Sequence, residues 1–179
     1  MYNKWSKDLK DAVQALEGIK NTALKKVIRG NLHTIETVDN NILILLDQKS
    51  GIDYIREDNI GLQGIAARAQ WGNAWNTFTI RSARHTGSKT ELEKRMEQVE
   101  NGYFYPEFTM QAYFNNRQAN ELLTLGIIKT KDLYKFIEEN PAKVEKNKSD
   151  NEFVFVRWIH LIGKIKTVPP FKKLYKHSF

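Results

Sequence analysis

Leu46-Asp47-Gln48-Lys49-Ser50-Gly51-Ile52-Asp53-Tyr54-Ile55, followed a short hairpin later by Gly64-Ile65-Ala66-Ala67-Arg68-Ala69-Gln70-Trp71, is the stretch that decides the fold. Ser50-Gly51 breaks the helical spacing before it. Beyond Gly51 the apolar period changes. Ile52 to Arg56 alternates, Asp58-Asn59-Ile60-Gly61 is turn chemistry, and Leu62 to Trp71 reads as a second strand. An acid, Asp53, therefore enters one strand and a cation, Arg68, sits on the next. Alternation places Ala66, Arg68 and Gln70 on one face of that strand.

Upstream, residues 4 to 28 read as a helix, with Leu9, Val13, Leu16, Ile19, Ala23, Leu24, Val27 and Ile28 at three-and-four spacing. Gly18 marks a bend or the join of two helices. Leu32, Ile35, Val38, Ile42, Leu45 and Leu46 predict a further helix from about Leu32 to Asp47. Downstream, Trp75 to Ser82 reads as a third strand, with Phe78 and Ile80 on one face. Ser88 and Glu91 have the spacing of a capping box, and the helix they open stops near Asn101-Gly102. Tyr103 to Phe114 and Leu122 to Thr130 are strands, and Asp132 to Glu139 is a short helix stopped by Pro141. Ala142 to Asn151 reads as an exposed loop, Phe153 to Leu161 as a last strand, and the end, with Pro169-Pro170, as an irregular tail. This order predicts an α/β (α+β) fold, a mixed β-sheet flanked by helices, with residues 1–179 as a single domain.

Composition supports a folded chain. Of 179 residues, 41% are hydrophobic and 27% charged, as in ordinary globular proteins. No apolar run approaches the roughly 20 residues that span a bilayer, so no membrane partner is expected. Met1 to Asp8 has no apolar segment of the secretory kind. Cysteine is absent, which excludes a disulfide framework, a thiolate metal site and a cysteine nucleophile. A cytoplasmic protein is the simplest reading. The net charge of +7 favours polyanionic partners, DNA or RNA, through counterion release.

The order helix, three antiparallel strands, helix, strand resembles the core of the PD-(D/E)XK, or restriction-endonuclease-like, nuclease superfamily over about residues 30 to 130. The N-terminal helix would then be an extension, and 141–179 a C-terminal strand and tail. In that family an Asp at the start of the second core strand and a Glu-x-Lys on the third bind a metal and polarise water. Gly51-Ile52-Asp53 looks like the family's Gly-x-Asp, which makes Asp53 the first ligand of Mg2+ or Mn2+. Hard cations prefer such oxygen donors. Ala66-Ala67-Arg68 matches Glu-x-Lys by position alone. Ala66 cannot ligate, and arginine stays charged and accepts no proton. Gln70 and Gln63 are the nearby oxygen donors that could substitute, and Asp47 could supply a ligand from the helix end. The resemblance thus implies Asp53, Arg68 and Gln70 as catalytic positions, Asp47 and Asp53 as metal ligands, and a degenerate, non-cleaving member of the family. A turn residue at Asp53 and a paired surface cation at Arg68 are the alternative.

A second candidate site is the basic strip of Arg81, Arg84, His85 and Lys89. It leaves a strand and enters a helix, so its cations and the helix N-terminal amides could meet on a phosphate. Trp71, Trp75, Tyr103, Phe104 and Tyr105 flank it, and aromatics beside cations suit stacking on unpaired bases. Phe78 and Phe104 are assigned to the core, leaving Trp71 and Trp75 as the stacking candidates. The helix from Thr90 to Glu100 reads as a charged solvent face with i,i+4 pairs.

The sequence holds no GxGxxG, Walker loop, HExxH or nucleophile elbow, and its four histidines are scattered without ligand spacing. Small size, basicity and the lack of a metabolic motif suit a phage or mobile-element protein. Three functions follow: nucleic-acid binding by a nuclease-like protein with impaired catalysis, an active metal-dependent nuclease, or an anti-defence inhibitor that binds a host defence protein.

Overall fold

A computed structural model describes residues 2–35, 49–83, 88–118, 121–147 and 153–174. Its strands, in chain order, are β1 (Asn31–Thr34), β2 (Tyr54–Asp58), β3 (Gly61–Trp71), β4 (Thr77–Arg81), β5 (Phe108–Phe114), β6 (Leu122–Lys129), β7 (Val144–Lys146), β8 (Phe153–Arg157) and β9 (Lys166–Val168). Its helices are α1 (Tyr2–Ile19), α2 (Glu91–Asn101), α3 (Thr130–Glu139) and α4 (Phe171–Leu174). Six strands form a mixed sheet in the order β1-β2-β3-β5-β6-β9, and β4-β8-β7 form a smaller antiparallel sheet. This is the mixed α/β fold that the periodicity predicts. Every pairing in the main sheet is antiparallel except β3 with β5. Between those two the chain leaves the sheet through β4 and α2, and such a crossover lets a strand return in the same direction.

Alternation along the strands builds two cores. On one face Ile65, Ala67, Ala69 and Trp71 of β3 join Met110, Ala112 and Phe114 of β5 against Ala15, Leu16, Ile19 and Leu24 of the first helical region. On the other, Tyr113 and Ile128 meet Phe78, Ile80, Val154, Val156 and Trp158 of the small sheet and its following turn, with Leu133 and Tyr134 of α3. Tyr113 ties the two sheets together. Its hydroxyl donates to the Thr77 carbonyl at 3.0 Å and lies 2.8 Å from the Thr77 hydroxyl.

The helix expected over 4 to 28 is present, and the break foreseen at Gly18 takes a definite form. Two residues later the hydrogen-bonding widens into a π-helical turn, Lys20–Leu24, before one last α-turn, Lys25–Val27. Gly30, at φ +100°, then lays the chain flat on β2; a Cβ there would lie 2.3 Å from the Glu57 carbonyl oxygen. The helix expected from Leu32 is replaced at its start by β1, paired with β2 from Asn31↔Glu57 to Thr34↔Tyr54. Leu32 and Ile35 stand three apart, a spacing that fits a helix as well as a strand and its end; pairing decides. The rest of that expected helix lies outside the described residues.

Further differences are local. The third strand begins at Thr77, and β4 pairs with β8 instead of completing the β2–β3 meander. The helix cap is Thr90 with Glu93, not Ser88 with Glu91: the Glu93 backbone N–H donates to the Thr90 hydroxyl, and the Thr90 N–H donates to the Glu93 carboxylate. Gly102 ends α2 in the left-handed region, as expected. The strand expected from Tyr103 starts only at Phe108, which leaves Phe104 exposed, not in the core, while Phe78 is buried. The last long strand ends at Arg157 and gives way to a 3₁₀ turn, Trp158–Leu161. Inside the expected loop, Val144–Lys146 pairs with β8 as β7; inside the expected tail, Lys166–Val168 pairs with β6 as β9.

Candidate functional site

Asp53 stands at the head of β2. Its backbone N–H donates to the Ile65 carbonyl at 2.9 Å, and its carboxylate accepts from the Ala67 N–H at 2.5 Å. The acid is thereby anchored to the middle of β3 by backbone, the part of a strand that substitutions move least. Asp53, Ala66, Arg68, Thr109 and Gln111 line one pocket of about 200 Å³, and α2 adds Glu91 and Arg95 to it.

Arg68 does not stand alone there. Its guanidinium pairs with Glu91 at 2.7 Å and lies over the Phe153 ring, 5.8 Å from the centroid. Arg81 reaches the same two groups: its backbone N–H donates to Glu91 at 3.3 Å, and its guanidinium lies 5.0 Å from the centre of Phe153. The structure thus brings together one residue from each expected site, around an acid and an aromatic ring that sequence reasoning did not select. Arg95 was also missed. Read as part of a solvent face, it is 6% exposed and donates to the Ser50 carbonyl at 2.6 Å and the Gln98 side chain at 2.8 Å. Gly51, at φ +59°, leaves room for it; a Cβ there would lie 2.8 Å from a guanidinium nitrogen. Arg95 therefore holds the segment that delivers Asp53 to the pocket. The available signal was its place on one stripe with Leu92, Met96 and Val99.

The remaining expected residues are dispersed. Gln70 accepts from the Gln111 amide at 3.1 Å and faces a groove beside Trp75. Gln63 lies on the opposite face of β3 by alternation. Lys89 is exposed and paired with Glu97 at 2.5 Å. Trp71 packs on Phe114, and its ring carries Arg117 at 4.5 Å, a cation itself paired with Asp8 and Asp11. Trp75 is 68% exposed, held out by a turn through Asn76 at φ +51°. Asp47, Arg84 and His85 lie outside the described residues.

Among the described residues no three His, Asp or Glu side chains form a group that could hold a metal ion. In the pocket Asp53 supplies one carboxylate, Ala66 supplies none, and the Glu91 carboxylate is engaged by Arg68. Among the described residues that donor set falls short of the several oxygen ligands that Mg2+ or Mn2+ take, and Asp47 lies outside them.

Two tyrosine hydroxyls near this region are shut away from water. Burial, and next the Glu91 charge, push the Tyr134 hydroxyl far above the ordinary value of 10.0. Burial also raises Tyr113, against the opposing hydrogen bonds from Thr77. In the unfolded chain both ionise near pH 10, while the folded protein keeps them protonated. The stability this confers is complete below about pH 10 and is lost as pH rises through the folded values. Urea midpoints should therefore fall most steeply above about pH 10, and Tyr134→Phe should shallow the fall. An unchanged fall in that variant would place the alkaline sensitivity elsewhere.

Comparison with protein-family models, with curated proteins and with solved structures finds no match to this chain. Among the described residues no helix is long and apolar enough to cross a membrane.

Proposed function

We propose that this protein binds DNA or RNA on a scaffold of the PD-(D/E)XK kind that has lost metal-dependent cleavage. The order α1, β1, β2, β3, β4, α2, β5 supports the scaffold once β4 is set aside in the small sheet, with Asp53 heading the second strand and Arg68 on the third. One observation carries the loss of cleavage: Arg68, in the place of the family's lysine, is locked to Glu91 across a pocket in which Ala66 offers no ligand. An ion pair there neutralises the second acid that the chemistry would need. The net charge of +7 and the exposed ring of Trp75 supply attraction to phosphate and a surface for a base.

The expected result is retention of plasmid and single-stranded DNA or RNA at low salt, with no cleavage in Mg2+ or Mn2+. Binding should weaken steeply with salt. Arg81→Ala with Arg84→Ala should shallow the log–log slope by about one to two units. Cleavage would instead support the second reading, favoured by Glu91 reaching the same pocket as Asp53: an active nuclease, which Asp53→Ala should abolish. No binding of either nucleic acid at low salt would overturn both readings and leave an inhibitor of a host defence protein.

A further inference from the structure

Among the described residues, the face of the main sheet that packs on α1 is not covered to its end. The helical region stops at Val27, and beyond it the sheet presents a cleft of about 370 Å³ walled by Ile28 and Arg29. Phe108 and Ile127 line it. Alternation fixes what surrounds them. Arg56 shares its face with Tyr54, and Lys129 shares its face with Ile127. Lys166 stands directly across from Ile127 in the β6–β9 register. The turn before β9 adds Lys164.

Five cations, Arg29, Arg56, Lys129, Lys164 and Lys166, therefore line this cleft with one carboxylate, Asp132. Arg56 has its own partner, Asp58, and its guanidinium is held over the Phe108 ring at 5.9 Å. The other four have no ion pair among the described residues. Like charges gathered round one concavity repel each other until an anion enters, and a concave wall strengthens the attraction for it. The cleft lies on the opposite face of the sheet from the Asp53 pocket, so it is no part of that site.

We propose that this cleft binds a phosphate-bearing ligand, its oxygens held by Lys129, Lys164, Lys166 and Arg29, and any organic part lying against Phe108 and Ile127. The volume suits a group the size of a mononucleotide, at the small end of ligand sites. The site stands whether or not the protein binds nucleic acid.

The test is calorimetric titration of the full chain, at fixed ionic strength, with inorganic pyrophosphate, adenosine monophosphate and adenosine. Saturable binding of one pyrophosphate or one nucleotide per chain is expected. Lys129→Gln with Lys166→Gln should weaken it at least roughly tenfold, as expected for losing charge-assisted hydrogen bonds. A control with Lys7→Gln and Lys10→Gln, both exposed on α1, should bind as the parent does. Tighter binding of the nucleotide than of pyrophosphate identifies a phosphate ester as the ligand class; the reverse identifies a free phosphate. Unsaturable binding, equal weakening in the control, or adenosine binding as well as its phosphate would overturn the proposal.

Discussion

Trp158→Ala should remove about 3–5 kcal/mol of stability, the range for deleting a large buried aromatic side chain. Trp158 is fully buried at 0% exposure, with the rings of Phe78 and Tyr113 at 5.8 and 5.9 Å. It also fills a notch in β6 that exists because residue 126 has no side chain. A Cβ on Gly126 would sit 2.6 Å from the indole. The indole is hemmed in by two rings on other strands and cannot swing aside, so Gly126→Ala should cost about 1–3 kcal/mol by overpacking. The two residues are thus halves of one contact. Trp158→Phe frees space above Gly126, and Gly126→Ala should cost less in that background, by about 1 kcal/mol. Urea denaturation of the four proteins in this cycle measures it. Equal cost of Gly126→Ala in both backgrounds would show that the notch and the indole are not coupled.

Arg95→Ala should cost about 2–4 kcal/mol, because it leaves the Ser50 carbonyl and the Gln98 side chain without their charged donor. The loss should not be uniform. Ser50 and Gly51 lead directly into Asp53, and the Asp53 carboxylate accepts the Ala67 amide. Hydrogen exchange at Ala67 should accelerate more than exchange at Ala112, in the middle of neighbouring β5. Arg95→Lys keeps the charge but not the planar fork that serves two acceptors, and should fall between the parent and the alanine variant. If Ala67 and Ala112 accelerate equally in Arg95→Ala, the arginine stabilises the protein without positioning the acid.

Much of this architecture was legible in the chain, and the limits of legibility are physical. Alternation and turn residues located β2 and β3, and periodicity located α1, α2 and α3, because these signals are local. Pairing is not local. β4 has a normal strand pattern, yet its partner β8 lies far along the chain, and nothing in Thr77–Arg81 announces that it belongs to a separate sheet. Asn31–Thr34 was misread because Leu32 and Ile35 satisfy a helical spacing by coincidence. In the pocket, Asp53 and Arg68 could be placed on neighbouring strands of one hairpin from alternation and turn residues, while the register that sets them on one side comes from pairing. Glu91 and Phe153 could not, since they arrive from α2 and β8 through the same long-range pairing. Trp71 and Trp75 show the converse. Four residues apart, they read as a pair, but a turn separates them, and one ring lies under Arg117 while the other faces solvent.

The main sheet ends, among the described strands, in its two shortest members, β1 with four residues and β9 with three. β1 is mostly polar, and β9 opens with Lys166 and runs into Pro169-Pro170, which lack an amide hydrogen to share. β1 covers the margin of β2 and β9 that of the apolar strand β6, margins that would each make an inviting template for a stray chain if left open. Covering those margins with short, hydrophilic strips leaves little for another molecule to zip onto. Protection against edge-to-edge self-assembly thus falls to two short segments, each of which lays one partly buried apolar residue, Leu32 or Val168, against the core.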